Sequence, residues 1–251
     1  MPTTALALRG LTKRFGAKVA VGGVDLDVPS GACFGLVGPN GAGKTTTLSI
    51  ASGLLRPDAG SVAVHGRDLW SDLVAAKQVL GIMPDGARLF DRLTGAQLVT
   101  YAGLLRGMDR RTVDARRDEL LDVLGLARDA GTLVVDYSAG MVKKITLASA
   151  LVHAPRVLLL DEPFEAVDPI SAAVIRDILE RFTAGGGTVV VSSHVMDLVE
   201  RLCDHVAIIA DGTVRAAGTL AQVRGPGTLE QRFVELVGGM PLRAELPWLL
   251  S

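Results

Sequence analysis

The chain has 251 residues, 49% of them apolar, and its 26 basic and 27 acidic side chains give a formal net charge of −1. This size and apolar content can bury a hydrophobic core and argue against a disordered chain. The balanced charge disfavours a strongly basic face for nucleic acid, so we expect any anionic ligand to be bound by a local site. No apolar run approaches the roughly 18 to 20 residues that span a bilayer, and the start lacks a signal-peptide pattern, which predicts a cytosolic chain. Cys33 and Cys203 have no neighbouring metal ligands and are expected to be buried free thiols.

The first third of the chain is predicted to form an antiparallel sheet, followed by a strand, a loop and a helix. Residues 6–28 alternate short apolar stretches with turn signals, which predicts a small antiparallel sheet. Residues 32–55 predict an apolar strand, a glycine-rich turn and a helix from about Gly43. Residues 56–68 then predict a turn and a short strand pair.

The middle of the chain changes to helical patterns. Between about residues 85 and 151 we predict an inserted helical subdomain, with helices capped by Thr94 and Asp109. The second of these helices carries an apolar face formed by Val113, Leu120, Leu121 and Leu124.

Beyond Pro155, strands and helices alternate, which predicts a parallel sheet. A hairpin turning at Asp211 and Gly212 and a short helix follow, and the tail from Pro226 contains one further helical segment. The predicted alternating segments are the strand 156–163, the helix 168–187, the strand 188–194 and the helix 195–204.

A phosphate-binding loop is the strongest motif. Residues 38–45 read GPNGAGKT, which fits G-x-x-x-x-G-K-[ST] between a strand and a helix. Its glycines let backbone N–H groups face phosphate oxygens, Lys44 adds a positive charge, Thr45 offers a hydroxyl to Mg²⁺, and Thr46 can donate to phosphate. The alternative is a glycine-rich turn with an incidental lysine. The predicted nucleotide-binding residues here are Gly38, Pro39, Asn40, Gly41, Ala42, Gly43, Lys44, Thr45 and Thr46.

Three polar side chains follow two predicted strands. Asp161 and Glu162 end the apolar run VLLLDEP, which places carboxylates at the edge where open α/β sheets bind ligands. Asp161 would hold magnesium, and Glu162 would orient or deprotonate an attacking water, unless both acids belong to a solvated loop. His194 follows TVVVSS, on a strand that we expect to neighbour the one ending at Asp161, and could fix that water.

The order of these motifs resembles the nucleotide-binding subunit of an ATP-binding cassette (ABC) transporter, over nearly the whole chain to about Gly225. The segments that show this resemblance are the phosphate loop, the inserted helices, YSAGM, VLLLDEP, AVDP and SSH. In that family the signature segment, typically LSGGQ, presents a serine, backbone amides and a helix N-terminus to ATP on the other subunit. The resemblance therefore implies that Ser138, Ala139, Gly140 and Met141 contact a nucleotide in trans.

Three other single residues, and one substitution in the signature segment, can be compared with positions of the same family. Phe15 resembles the aromatic residue that stacks on adenine, with an ordinary core or surface phenylalanine as the alternative. Asp168 resembles the acid that crosses the dimer interface, and it also suits a helix cap. Asp85 stands where the family usually has a glutamine that contacts magnesium, so we expect Asp85 as a candidate ligand although it is shorter and charged. Ala139 replaces a glycine, and its Cβ is expected to restrict positive φ and to alter the approach to phosphate slightly.

The resemblance implies an α/β fold: a P-loop NTPase core with a mixed, mostly parallel sheet, an antiparallel β subdomain and an inserted helical subdomain. We expect an ATPase domain over residues 1–225, with a core of 1–84 and 152–225, a helical insertion of 85–151, and a C-terminal extension of 226–251. The implied cofactors are ATP and Mg²⁺.

The implied function is that of an ATPase subunit that dimerises, as a homodimer or heterodimer, around two ATP and drives a separate membrane permease. The signature and the short tail resemble the exporter branch, with the chain peripheral at the cytoplasmic face of the cell membrane and no nucleic acid as partner. The permease is expected to dock near residues 85–101. The alternatives are a soluble ABC-type ATPase acting on nucleic acid or the ribosome, and a nucleotide kinase or GTP-binding switch.

Overall fold

A computed structural model of the chain describes residues 3–86 and 88–238. The described residues form ten strands and nine α-helices. The strands are β1 (Thr4–Phe15), β2 (Lys18–Pro29), β3 (Cys33–Val37), β4 (Ala59–Val64), β5 (Arg67–Asp68), β6 (Leu80–Met83), β7 (Val157–Asp161), β8 (Thr188–Ser193), β9 (His205–Ala210) and β10 (Thr213–Thr219). The helices are α1 (Lys44–Ala51), α2 (Leu73–Val79), α3 (Gly95–Leu105), α4 (Arg110–Val123), α5 (Ala139–Leu151), α6 (Pro169–Ala184), α7 (Met196–Leu202), α8 (Leu220–Arg224) and α9 (Leu229–Val237).

The strands form two sheets. The first is antiparallel with the order β2-β1-β4-β5, and Leu8 of β1 lies opposite Leu26 on one neighbour and Val62 on the other. The second has the order β10-β9-β3-β8-β7-β6, in which only the β10–β9 pair is antiparallel. The predicted antiparallel subdomain and the mixed, mostly parallel sheet are therefore confirmed.

The parallel sheet separates two hydrophobic cores. Every residue of β3, β7 and β8 is buried, as expected for parallel strands covered on both faces. Successive side chains of β3 point to opposite faces: Phe34 and Leu36 join the core shared with the first sheet and α1, whereas Cys33 and Val37 join the core that includes α3 to α7. This double burial holds the carboxyl end of each strand in place.

The helical section lies between β6 and β7 and begins its helices as predicted. Thr94 caps α3 with a full capping box, and Asp109 caps α4 by accepting from the Thr112 N–H. The predicted apolar face of α4 packs inward, with Val113, Leu121 and Leu124 buried and Leu120 partly buried. The division into a core and an insertion remains a prediction, as does the C-terminal extension, whose residues 239–251 lie outside the described part of the chain.

Two elements between the strand pair and residue 85 were not predicted. They are α2 and β6, and β6 forms an edge of the parallel sheet. The strand β6 lies in the short apolar run VLGIM of residues 79–83, in which periodicity does not distinguish a four-residue strand from a helix. Asp72, which caps α2 by accepting from the Ala75 N–H, was the available signal.

A partly buried basic cluster joins the helical section to β6. Arg106, at the end of α3, donates to the carbonyl oxygens of Lys77 and Leu80, the latter at 3.1 Å. His153 Nε2 lies 3.0 Å from Leu80 O and 3.1 Å from Arg106 Nη1. Burial, and then the charge of Arg106, lower the pKa of His153 to about 4.

This pKa predicts a loss of stability in acid. Because His153 has an ordinary pKa of 6.5 in the unfolded chain and about 4 in the fold, acidification from about pH 6.5 to pH 4 protonates the unfolded state first. When the pH falls from 7 to about 5, the free energy of unfolding of His153→Gln should therefore decrease less than that of the wild type, by on the order of 1 kcal/mol. Urea unfolding of both proteins at the two pH values measures it. An equal loss of stability in both would contradict the shift.

Candidate functional site

The carboxyl ends of β3, β7 and β8 surround a cleft of about 430 Å³. The sequence-predicted residues in its lining come from β1, the phosphate loop, the segment after β6 and the ends of β7 and β8. Lys18, Ala20 and Glu165 also line it and were not predicted. The predicted lining residues are Phe15, Asn40, Gly41, Ala42, Gly43, Lys44, Thr45, Thr46, Asp85, Glu162 and His194.

The phosphate loop has a backbone that side chains would obstruct. Gly41 and Gly43 have φ values of 80° and 104°, in the left-handed region that favours glycine. A Cβ on Gly43 would collide with the carbonyl oxygen of Ala20, and one on Gly38 with that of Ile209. The loop therefore needs glycine for conformation at two positions and for close packing at two.

Lys44 is a buried cation at the base of this loop. Its side chain is only 6% exposed, and Nζ donates to the carbonyl oxygens of Gly38 at 2.7 Å and Pro39 at 3.3 Å. Nζ also lies 3.8 Å from Glu162 Oε1. Burial lowers the pKa of Lys44, and the nearby carboxylates of Glu162 and Asp161 oppose that change.

The two acids at the end of β7 have different surroundings. Asp161 is 3% exposed, and its Oδ1 accepts a hydrogen bond from Ser192 Oγ, which lies opposite it on β8. The Glu162 N–H donates to the same Ser192 oxygen at 2.9 Å, while Glu162 Oε2 lies 3.1 Å from His194 Nδ1. The predicted adjacency of the strands ending at Asp161 and His194 is confirmed, and Ser192, which joins them, was missed.

The backbone of Glu162 is unusual. Its φ is 46°, a left-handed conformation that is uncommon for a residue with a side chain. Lys143, on α5, donates from Nζ to the Glu162 carbonyl oxygen at 2.9 Å. The same Nζ lies 3.2 Å from Asp85 Oδ1, so Lys143 joins two predicted site residues although the sequence reading did not single it out.

The signature residues and Asp168 lie at the starts of two adjacent helices rather than in the cleft lining. Ser138 caps α5, its Oγ accepting from the Met141 N–H at 3.3 Å, and Asp168 caps α6 by accepting from the N–H groups of Ile170 and Ser171. A Cβ on Gly140 would lie 3.6 Å from Asp168 Oδ2, which shows how close these starts are.

Two further observations concern these helix starts. Hydrogen bonds from the side chain and the backbone of Ser171 lower the pKa of Asp168. Ala139 is the first residue of α5 and does not have a positive φ, which agrees with a Cβ that restricts that region, and its effect on the approach to phosphate stays a prediction. An alanine suits a helical position at least as well as the glycine it replaces.

Phe15 lies at the mouth of the cleft and not in a core. Its side chain is 52% exposed at the end of β1, and Lys13 Nζ lies 5.9 Å from the ring centroid. The phosphate loop lines the same cleft. An aromatic face is therefore available beside an anion-binding loop.

Known proteins with the same arrangement are numerous. The family model described as ABC transporter matches residues 21–165. The daunorubicin resistance ATP-binding protein DrrA3 of Streptomyces coeruleorubidus is 37% identical over 224 residues, which cover 89% of this chain and 71% of that protein. The Nod factor export ATP-binding protein I of Burkholderia lata is 38% identical over 218 residues, covering 87% and 72%.

Solved structures agree with the fold. One described as the ATP-binding subunit of an ABC transporter has a TM-score of 0.86 and 27% identity, and the match covers 93% of this chain and 99% of that one. A dimeric ATP-binding cassette in a post-hydrolysis state, bound to ADP and Pi, has a TM-score of 0.79 and 25% identity, over 86% and 98% of the two chains. The chain therefore belongs to the ABC transporter family and is one of its ATP-binding, ATP-hydrolysing subunits.

Proposed function

We propose that this chain pairs with a second copy, or with a related chain, around two ATP and that the pair drives a separate membrane permease. The proposal rests on the observation that the candidate residues lie in two separate places. Lys44, Glu162 and His194 line one cleft, with Asp161 buried at the end of β7, whereas the start of α5 lies outside that cleft's lining. A capped helix N-terminus attracts anions, so the start of α5 suits the nucleotide of the opposite copy.

The residues in and beside the cleft fit a nucleoside triphosphate with Mg²⁺. The buried ammonium of Lys44 lies beside the glycine-rich loop, and the buried carboxylate of Asp161 lies at the end of β7. No group of three or more His, Cys, Asp or Glu side chains in residues 3–86 and 88–238 could hold a metal alone. Magnesium in phosphate sites needs only one or two protein ligands beside phosphates and water, a requirement that Thr45 and Asp161 meet.

Each residue then has a distinct role. The loop N–H groups, Lys44 and Thr46 bind phosphate, and the ring of Phe15 stacks on adenine. Thr45 and Asp161 would hold the metal, with Ser192 orienting Asp161 through its hydroxyl. Asp85 would be a further candidate ligand, and its Oδ1 accepts a hydrogen bond from Lys143 Nζ at 3.2 Å. When bound, ATP and Mg²⁺ supply the γ-phosphate and the charge that neutralises its oxygens.

Glu162 and His194 act on the attacking water. The Glu162 carboxylate accepts the water's proton, and His194, 3.1 Å from that carboxylate, fixes its orientation and that of the water. Across the dimer, Ser138, Gly140 and the neighbouring N–H groups of Ala139 and Met141 bind the γ-phosphate. Asp168 lies beside them and faces the partner copy. Closure is favoured because each γ-phosphate gains donors from the opposite copy, and hydrolysis removes that gain.

The relatives named for daunorubicin resistance and Nod factor export support an exporter. The helical section offers an exposed aromatic pair for the permease: Phe90 and Tyr101 are 56% and 41% exposed, and their rings meet edge to face with centroids 5.3 Å apart. No helix of the described residues is long and apolar enough to span a bilayer. We place the chain at the cytoplasmic face of the membrane, held there by the permease.

Affinity purification of the tagged protein from gently solubilised host membranes tests this proposal. We expect a polytopic membrane protein at stoichiometric yield, because docking buries the aromatic pair formed by Phe90 and Tyr101. The double variant Phe90→Asp and Tyr101→Asp should lose it while retaining ATP binding, with Val74→Asp, at another exposed apolar residue, as the control. Recovery only in the soluble fraction, with ribosomes or nucleic acid, would contradict the permease. Crosslinks confined to the tail after Pro226 would contradict the docking surface.

A further inference from the structure

Lys143 links three segments that meet beneath the candidate site. It lies on α5, in the turn after the signature residues, and its side chain is 15% exposed. Its ammonium donates to the Glu162 carbonyl oxygen at 2.9 Å and to Asp85 Oδ1 at 3.2 Å. One cation therefore contacts the residue after β7 and the segment after β6 at the same time.

The Glu162 peptide needs support because of its left-handed backbone, with φ of 46°. Such a conformation in a residue with a side chain persists when surrounding contacts determine it. Here Ser192 accepts from the Glu162 N–H and Lys143 donates to its carbonyl oxygen, so both polar groups of the residue's backbone are held. The direction of the carboxylate, toward His194 and Lys44, follows from that backbone.

We propose that Lys143 is a positioning residue for ATP hydrolysis: it fixes the Glu162 backbone and couples it to Asp85. The inference rests on the proposed role of Glu162 as the base. Lys143 is not among the residues that line the cleft, and it acts through Glu162. Because Asp85 begins the segment proposed to meet the permease, Lys143 also connects that segment to the catalytic carboxylate.

Kinetics of four proteins test the role. Lys143→Met should lower kcat by about tenfold to a hundredfold, the size expected when a catalytic group is displaced by about 1 Å. The Kd for ATP, measured by fluorescent-nucleotide titration, should change by less than about threefold, since the phosphate contacts remain. Lys143→Arg keeps the charge and the donors and should restore kcat to within about threefold of wild type. Lys144→Met, at the next position of the same helix, is the matched control and should leave kcat unchanged.

A double-mutant cycle separates positioning from general damage. In a Glu162→Gln background, Lys143→Met should cause no further fall in the residual single-turnover rate, because the group that it positions has been removed. The same factor of loss in both backgrounds would overturn the proposal, as would a wild-type kcat in Lys143→Met. Should Lys143→Met fail to fold, Lys143→Gln, whose side chain is too short to reach both partners, is measured with the same expectations.

The result is distinguishable from failure of the proposed function. A wild-type protein without ATPase activity, or Glu162→Gln with full activity, would remove the base on which the inference rests. An active wild type with a dead Glu162→Gln and a fully active Lys143→Met would refute the role of Lys143 alone.

Discussion

Glu162→Gln should abolish turnover, lowering kcat about 100-fold or more, while the Kd for ATP stays within about threefold of wild type. Glutamine keeps the size of the side chain but cannot accept the proton of the attacking water. The backbone held by Ser192 and Lys143 is unaffected by the substitution, so the site should remain assembled. Phosphate release under steady state measures kcat, and nucleotide titration measures binding.

The same variant should accumulate the closed pair. Because hydrolysis is what removes the γ-phosphate contacts across the dimer, blocking it should shift the protein toward the dimer in ATP, which size-exclusion chromatography detects. Glu180→Gln, an exposed acid on α6, is the control and should leave activity unchanged. Hydrolysis at the wild-type rate in Glu162→Gln would refute the assignment of the base.

Lys44→Ala should raise the Kd for ATP by about 10- to 100-fold, since a charge-assisted hydrogen bond to phosphate contributes about 1.5 to 3 kcal/mol. The Lys44 ammonium is buried at the base of the loop, where it now donates to the Gly38 and Pro39 carbonyls. In the bound state we expect it to turn to the outer phosphates. Isothermal titration with ATP measures the change.

Adenosine is the control ligand for this prediction. It lacks phosphates but keeps the base that Phe15 is proposed to stack on, so its weak binding should be the same in wild type and Lys44→Ala. An unchanged Kd for ATP would contradict the phosphate role of Lys44. An equal loss for ATP and adenosine would show that the substitution disturbs the cleft as a whole.

Features that depend on neighbouring residues could be predicted from the sequence of this protein. A helix cap depends on a few neighbouring residues, so the starts of α3, α4, α5 and α6 could be predicted at Thr94, Asp109, Ser138 and Asp168. The loop from Gly38 is similarly local, because a fixed glycine spacing determines its shape. The alternation of buried strands with helices was enough to predict a mostly parallel sheet.

Short elements could not be predicted from local sequence patterns. The strand β6 has four residues, and its identity comes from pairing with β7, in which Leu80 lies opposite Val157. Such a pairing joins residues far apart in sequence, and no local pattern encodes it.

The sequence by itself determined the types of groups in the site: a phosphate loop, two acids after a buried strand, a histidine after another, and a capped helix for a second anion contact. Only the tertiary structure decided which side chains hold those groups in place. Ser192 joins Asp161 to Glu162 because β7 and β8 pair in register, and Lys143 reaches Glu162 and Asp85 because α5 packs against β6. A serine or a lysine is an ordinary residue until the fold places it beside a catalytic group, since hydrogen bonds depend on distances in space and not on spacing along the chain.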